Sequence, residues 1–304
     1  MSQSVKHLTA LSDQRYILYG VALIESLEKS TIPWTLHYYC IDDLTYRYIS
    51  MLRNPRVIAY RPEVLVNGPI RFPIHPNRLR LNRIKVEDPR YFCWALASVF
   101  TDYIMNHVQC DSVTYIDSDV YFHRDIKSLF DAFGEKDVGI FQHRHYMDPD
   151  HNYGDGRYNV GVVYFKASEK GKSLLAWWAD AVLYHRYPEY ATCGDQKYLE
   201  YFPKVCSPSE IFIDGDIGHG ASWQWEVYDL SKLKDRIVIW RGKEQELIFT
   251  HFSKFQYNLN GRGYESSWYK PGHIIFSTPD LHELHLEYVD ALIRSSAKLG
   301  GIHR

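Results

Sequence analysis

Cysteine is scarce in this chain of 304 residues: the five present (Cys40, Cys93, Cys110, Cys193 and Cys206) are scattered, and no CxxC pair occurs. An odd, dispersed set argues against a disulfide framework or a structural zinc site, and a reducing cytosol is the expected compartment. An excess of charge of one sign is also missing, since 35 Lys+Arg against 37 Asp+Glu leave a formal charge of −2. A generic nucleic-acid binder needs a basic face, so nucleic acid is not an expected partner. A local basic pocket for a diphosphate remains compatible with that balance. No apolar run is long enough to span a bilayer, and Met1–Ala10 carries no apolar signal core. The expected location is therefore cytoplasmic, with any membrane contact peripheral and at the inner face. No Gly-rich loop follows the first predicted strand, and there is no internal repeat or low-complexity linker. Aromatic side chains, by contrast, are plentiful: 25 Tyr, 14 Phe and 8 Trp make up 15% of the chain. Such a mixture is suited to binding flat rings, although most of it is accounted for equally well as core.

The first half alternates strand and helix patterns. Strands are predicted at Val5–Leu11, Thr35–Ile41, Arg56–Tyr60 and Ser112–Ile116. Between them lie helices from Gln14 to Lys29, with Ser12 or Asp13 as N-cap, from Asp42–Asp43 onward, and from Pro89 to His107, with Asp88 as cap. This alternation implies parallel strands with crossover helices, and such sheets bind ligands beyond their carboxyl ends. The second half is more mixed. Strands are expected at Asp137–Gln142, Tyr158–Lys166, Glu210–Ile213, Arg236–Trp240 and Leu247–Thr250, with helices at Ser168–His185 and Gly194–Tyr201. The fold class is α/β, a mixed sheet flanked by helices, with residues 1–277 as one domain and 278–304 as a C-terminal helical extension. That helix, with Leu281, Leu284, Leu286, Val289, Leu292 and Ile293 apolar, is expected to pack on the core or a partner copy rather than lie on a membrane.

The most informative segment is Tyr115-Ile116-Asp117-Ser118-Asp119, where an apolar strand runs into Asp-x-Asp. Two carboxylates two residues apart point the same way if the chain stays extended, and they repel unless a cation sits between them. Hard oxygen ligands suit Mg²⁺ or Mn²⁺, which can bridge a diphosphate. The plain alternative is a polar turn whose aspartates cap the helix near Lys127. Three later segments have plain alternatives too. Asn159 and Gly161 open a buried strand, where Gly161 allows close approach or marks a bulge. Asp195-Gln196 begins a helix and could be an N-cap. His251 ends an apolar strand, where a histidine is usually structural.

These four segments, in this order, resemble the GT-A nucleotide-sugar glycosyltransferases, the family-8 type (glycogenin and bacterial galactosyltransferases) in particular, and a broader group of bacterial sugar transferases. The resemblance runs from about Lys6 to Phe255 and implies a Rossmann-like GT-A domain, a metal-bound nucleoside-diphosphate sugar (UDP by the family's habit), and retention of anomeric configuration. It implies Asp117, Asp119 and His251 as metal ligands, with Asp117 also near the ribose. An imidazole beside carboxylates suits Mn²⁺ somewhat better than Mg²⁺. By the same resemblance Asp195 binds donor-sugar hydroxyls, Gln196 lies near the reacting carbon, and Asn159 lies on the sugar side. Asp13 would hydrogen-bond the base and Tyr16 would stack on it. The acceptor would be a glycan or lipid-linked glycan, as in bacterial polysaccharide synthesis.

Two departures stand out. In the helix before the acidic strand the stretch Phe92–Ser98 has no Arg or Lys, and Lys254 stands too close to His251 to match the family's diphosphate lysine. Arg83, Lys85, Arg144, Arg262 and Lys254 are the candidates for that charge. If the reaction inverts, a carboxylate base is needed, and Asp214 or Asp216 would supply it. Trp223 and Trp225 would suit stacking on an acceptor sugar, or equally anchoring a buried loop. Two other readings compete. One is a haloacid-dehalogenase-like phosphatase with Asp117 as nucleophile. The other is a sugar-binding module with no catalysis.

Overall fold

The structure is a computed structural model that describes residues 4–66, 77–145, 154–258, 262–269 and 272–300. The predicted alternation forms as β1 (Lys6–Ser12), α1 (Ile17–Leu27), β2 (Trp34–Cys40), α2 (Asp43–Met51) and β3 (Val57–Tyr60). Asp42 caps α2 by accepting from the Thr45 amide. The N-cap expected for α1 does not form. The helix starts only at Ile17, after Tyr16, with no side-chain cap. Asp13 instead accepts from the backbone and side chain of Arg15, at 2.8 and 2.7 Å. Residues 77–87, left unassigned by pattern, form α3 (Arg78–Glu87). Only Leu81 and Ile84 are buried on it, too short a stripe to read as periodicity. α4 (Pro89–His107) has Pro89 at its first position and Asp88 accepting from the Tyr91 amide, which follows directly from the sequence. Most of the predicted loop 61–76 lies outside the described residues.

The next strand, β4 (Ser112–Ile116), is wholly buried. After Asp117-Ser118-Asp119 the chain continues as a second short strand, β5 (Val120–Phe122), then α5 (Lys127–Phe133) and β6 (Val138–Gln142). β7 (Tyr158–Lys166) and α6 (Glu169–Leu183) follow, then α7 (Phe202–Val205) and β8 (Ile211–Ile213). β9 (Ile217–Ala221), β10 (Ile237–Trp240), β11 (Lys243–His251), β12 (Phe255–Asn258), β13 (Gly263–Ser266) and α8 (Pro279–Lys298) complete the chain.

The main sheet has seven strands in the order β3-β2-β1-β4-β7-β6-β8. β1 is parallel to both β2 and β4, while β7 runs antiparallel to β4 and β6, so the sheet is mixed. Period-two alternation sends Val162 and Tyr164 into one core and Val163 and Phe165 into the other. One core packs α1 and α8, the other α4 and α6. Trp178 is fully buried in the second. α8 packs along α1 with Leu281, Leu284, Val289 and Leu292 buried, as expected of a core-packing helix. Among the described residues no helix is long and apolar enough to cross a membrane.

A smaller sheet, β10-β11-β5 with β9 on β11, holds a buried ionic cluster beside it. Arg144 is fully buried. Its Nε donates to Asp214 at 2.9 Å, and Nη1 donates to Gln245 at 2.9 Å and the Tyr228 hydroxyl at 3.1 Å. The guanidinium also lies over the Trp240 ring, 3.8 Å from its centroid. Asp214 further accepts from the Gln142 amide at 2.6 Å. Burial pushes the Asp214 carboxyl up, but His219, Arg144 and that amide outweigh it and hold it below its ordinary value. Two expectations are thereby corrected. Arg144 cannot serve a diphosphate, and Asp214 cannot serve as a base, because each neutralises the other out of reach of solvent. Asp216 is exposed and paired with Lys243. Asp214→Ala, which strands a buried guanidinium, should destabilise the protein by about 3–5 kcal/mol, whereas Asp216→Ala should cost less than about 1 kcal/mol. Equilibrium denaturation of both variants checks the contrast.

Candidate metal and nucleotide-sugar site

The site is built where the two sheets meet. Asp117 and Asp119 lie in the corner between β4, a strand of the large sheet, and β5, a strand of the small one. The Asp117 amide is anchored on the Gly161 carbonyl of β7 at 2.9 Å. β11 runs antiparallel to β5 with His251 opposite Val120, and the Phe252 amide donates to the Asp119 carbonyl at 2.9 Å. Pairing of short buried strands thus brings a histidine from 132 positions further along the chain (251 − 119) to the acidic corner.

One ligand atom from each of Asp117, Asp119 and His251 lies within 4.8 Å of the other two. His251 Nε2 is 3.1 Å from Asp119 Oδ1 and 3.5 Å from Asp117 Oδ2. Burial raises the Asp117 carboxyl above its ordinary value, as does the Asp119 charge, partly offset by His251. Burial would lower His251, but the two carboxylates outweigh it and raise the imidazole above its ordinary value. The set fits a divalent cation: two carboxylate oxygens and one imidazole nitrogen form a hard-to-borderline donor set of the kind that suits Mn²⁺. Neither aspartate caps the helix near Lys127, whose amide donates to Asp125 instead.

The other predicted residues are placed as follows. Asn159 Oδ1 lies 2.8 Å from His251 Nδ1, behind the ring. Asn159 Nδ2 donates to Gln196 Oε1 at 2.9 Å, and Gln196 Nε2 donates to the Asp155 carbonyl at 2.9 Å. The amides expected at the donor sugar are therefore taken up by one another and by backbone. Asp195 is 3% exposed and does not cap a helix. Burial, then the Asp117 charge, holds its carboxyl well above the ordinary range. Tyr16 is 42% exposed, and its hydroxyl is pushed up to about 12 by burial and then by Asp119, which places it within electrostatic reach of the site. Asp13 has both oxygens on Arg15.

Trp225 is fully buried, which corrects its expected role in acceptor stacking. Trp223 is 5% exposed and donates to the His143 carbonyl at 2.8 Å. Its ring meets His251 edge-on at 5.5 Å and walls the site rather than offering a face to an acceptor. Of the cation candidates, Arg262 is paired with Asp290 and Arg83 with Glu87, while Lys85 lies over the Phe92 ring. Lys254 has no carboxylate partner among the described residues. Its ammonium lies 4.8 Å from the centre of the Trp268 ring, which in turn packs on Trp223 at 5.7 Å.

One contributor was missed. The buried Tyr115 hydroxyl donates to Asp117 Oδ1 at 2.6 Å and orients it. Its position two residues before Asp117 on a strand, hence on the same face, was the available signal. Gly161 also has a sharper role than expected. A Cβ there would lie 2.6 Å from His251 Nδ1 and 2.7 Å from Asn159 Oδ1, so it is His251, not a ligand, that approaches the bare backbone.

No protein-family model matches the chain. In sequence it is similar to the uncharacterized protein YfnF of Bacillus subtilis (strain 168), at 28% identity over 267 residues, covering 82% of this chain and 81% of that one. In structure it is similar to the apo form of the glycosyltransferase GlyE of Streptococcus pneumoniae TIGR4, with a TM-score of 0.53 and 15% identity, covering 98% of this chain and 62% of that one. The galactosyltransferase LgtC, solved with donor and acceptor sugar analogs, matches with a TM-score of 0.50 and 14% identity over 94% of this chain and 95% of that one. The chain thus spans about 62% of the length of GlyE. At these identities the likeness establishes the fold, which is GT-A. The phosphatase alternative needs a different fold and is set aside.

The raised ligand groups fix the sign of a pH dependence. A cation needs His251 neutral and both aspartates ionised, so protons compete with it. Mn²⁺ affinity should rise by up to about tenfold per pH unit per proton displaced while His251 is protonated, and level off above that group's raised value, itself above 6.5. Calorimetric titration across pH checks this, and a flat profile would contradict it. Gly161→Ala should push His251 aside and weaken Mn²⁺ binding by about tenfold or more, with the far-UV circular dichroism unchanged.

Proposed function

We propose that this protein is a metal-dependent glycosyltransferase that moves a sugar from a nucleoside-diphosphate sugar, with UDP as the nucleotide, to a hydroxyl of a glycan or lipid-linked glycan with retention. The observation that carries the reading is the convergence of Asp117, Asp119 and His251 at the junction of two sheets in a GT-A fold. Three acceptor groups packed together, two of them acidic, ask for a positive charge, and the ligand edge of the fold is where a diphosphate would meet it.

When bound, a divalent cation supplies charge neutralisation for the leaving diphosphate. The chain's own residues supply the rest. Tyr115 holds the Asp117 carboxylate in place through its 2.6 Å hydrogen bond. Lys254, uncommitted to any described carboxylate, is the cation for the diphosphate oxygens, and its seat on Trp268 leaves the ammonium free to turn toward them. Tyr16 offers its exposed ring to the base, while Asp13 reaches the base only by sharing oxygens now held by Arg15. Asp195, buried beside the Asp117 charge, would bind a sugar hydroxyl through its carboxyl.

Retention is supported by the absence of a suitable base among the candidates. Asp214 is locked on Arg144, and Asp216 is on the surface with Lys243. In a retaining transfer the departing phosphate can take the acceptor's proton on the same face, so the protein need not provide a carboxylate there.

A panel of nucleotide sugars incubated with Mn²⁺ tests the reading. Slow hydrolysis of one member is expected, reduced to background in Asp119→Ala. Lys254→Ala should raise KM for that donor about tenfold, the worth of one charge-assisted contact. No binding and no turnover across the panel would overturn the proposal, and metal-independent sugar binding would favour a module without catalysis.

A further inference from the structure

We propose that Asn159 and Gln196 form a relay that fixes the tautomer of His251 from the backbone, so that Nε2 is left unprotonated for a cation held between it, Asp117 and Asp119. Both are positioning residues. The purpose of the relay rests on the metal-dependent reading above, but its geometry does not.

Hydrogen-bond polarity orients both amides. Four backbone groups around the relay can play only one role each. The Asp155 carbonyl can only accept, and it lies 2.9 Å from Gln196 Nε2. Gln196 Oε1 therefore faces the other way, where it accepts from Asn159 Nδ2 at 2.9 Å and the Val160 amide at 3.3 Å. The Gly156 carbonyl can also only accept, and His143 Nδ1 lies 2.7 Å from it. That places a proton on His143 Nδ1 and leaves His143 Nε2 as an acceptor, 3.4 Å from the same Asn159 Nδ2. The Gly161 amide can only donate, and it reaches Asn159 Oδ1 at 2.8 Å. All four groups agree on which way the Gln196 and Asn159 amides face.

His251 Nδ1 lies 2.8 Å from that Oδ1, so Nδ1 must carry the hydrogen. A neutral ring then has its lone pair on Nε2, 3.1 Å from Asp119 Oδ1 and 3.5 Å from Asp117 Oδ2, a contact of acceptors that a cation between them would relieve. The opposite tautomer would set a lone pair on Nδ1 against a carbonyl oxygen in a pocket where Asn159 and His251 are 9% and 7% exposed. Second partners of this kind orient metal-ligating histidines and raise their basicity. In this arrangement each polar atom of Asn159 and Gln196 already has a protein partner, which distinguishes the relay from a direct contact with sugar.

The test is nitrogen-15 NMR of the His251 ring in the metal-free protein, above the pH at which the ring titrates, paired with Mn²⁺ titration. The wild type should carry its proton on Nδ1. In Asn159→Ala the proton should move to Nε2, facing Asp119, and Mn²⁺ affinity should fall about 10–100-fold. Asn159→Asp keeps an acceptor at the same place and should restore the Nδ1–H form. A wild-type ring protonated on Nε2 would overturn the relay. So would Asn159→Ala with tautomer and Mn²⁺ affinity unchanged, including a variant whose only defect is a higher donor KM. The tautomer is read without metal or donor, so a failed glycosyltransferase assay and a failed relay are separate results.

Discussion

Everything at the candidate site depends on one electrostatic constraint. Two carboxylates and one nitrogen of an imidazole are held with their ligand atoms within 4.8 Å of one another. Two unit charges at that separation repel by ~3 kcal/mol even at an effective dielectric constant near 20. Strand pairing prevents the groups from moving apart. Asp117 is tied to β7 through its amide, Asp119 is tied to Phe252, and His251 is pinned between Gly161 and the edge of Trp223. A proton shared with His251 relieves the repulsion in part, as the raised imidazole and Asp117 record. A divalent cation relieves it more fully. The fold therefore holds a standing demand for positive charge at the edge where GT-A folds place their ligands.

The near-neutral net charge fits this arrangement. All three arginines considered for a diphosphate are committed elsewhere: Arg144 to a buried cluster, Arg262 to Asp290 and Arg83 to Glu87. A bound cation and one lysine on an aromatic seat would supply the local charge, without a basic surface. The aromatic excess is likewise largely structural. Trp178 and Trp225 are fully buried, and Trp223 walls the histidine, while Tyr16 keeps an open ring and Tyr115 combines burial with a hydrogen bond to Asp117.

How much of this could be read in the sequence follows from what kind of signal each part carried. The strands β1, β2, β4 and β7 and the cap of α4 are local: apolar period, Asp88 and Pro89 are enough to locate them. The acidic corner and its histidine were legible through the order of their motifs. β9 was not, because its sequence Ile217-Gly-His-Gly-Ala221 is buried without being apolar, and its glycines allow the backbone of β11 and the ring of Trp225 to approach. The cap of α1 was misplaced because Arg15 competes for Asp13. The Arg144–Asp214 pair spans 70 positions, and only the fold reveals that two charged residues read as functional neutralise each other. Asn159 and Gln196 were recognised as important, but whether their amides face a ligand or each other depends on backbone groups that sequence does not orient.

The central claim is that Asp117, Asp119 and one nitrogen of His251 hold a divalent cation that a nucleoside diphosphate then joins. Pulsed electron paramagnetic resonance of the protein with one equivalent of Mn²⁺ measures this most directly. The account predicts coupling to a single directly bound nitrogen, lost in His251→Ala, and phosphorus coupling that appears when a nucleoside diphosphate is added. Mn²⁺ that stays free in solution, or binds with neither nitrogen nor phosphorus coupling, would contradict it.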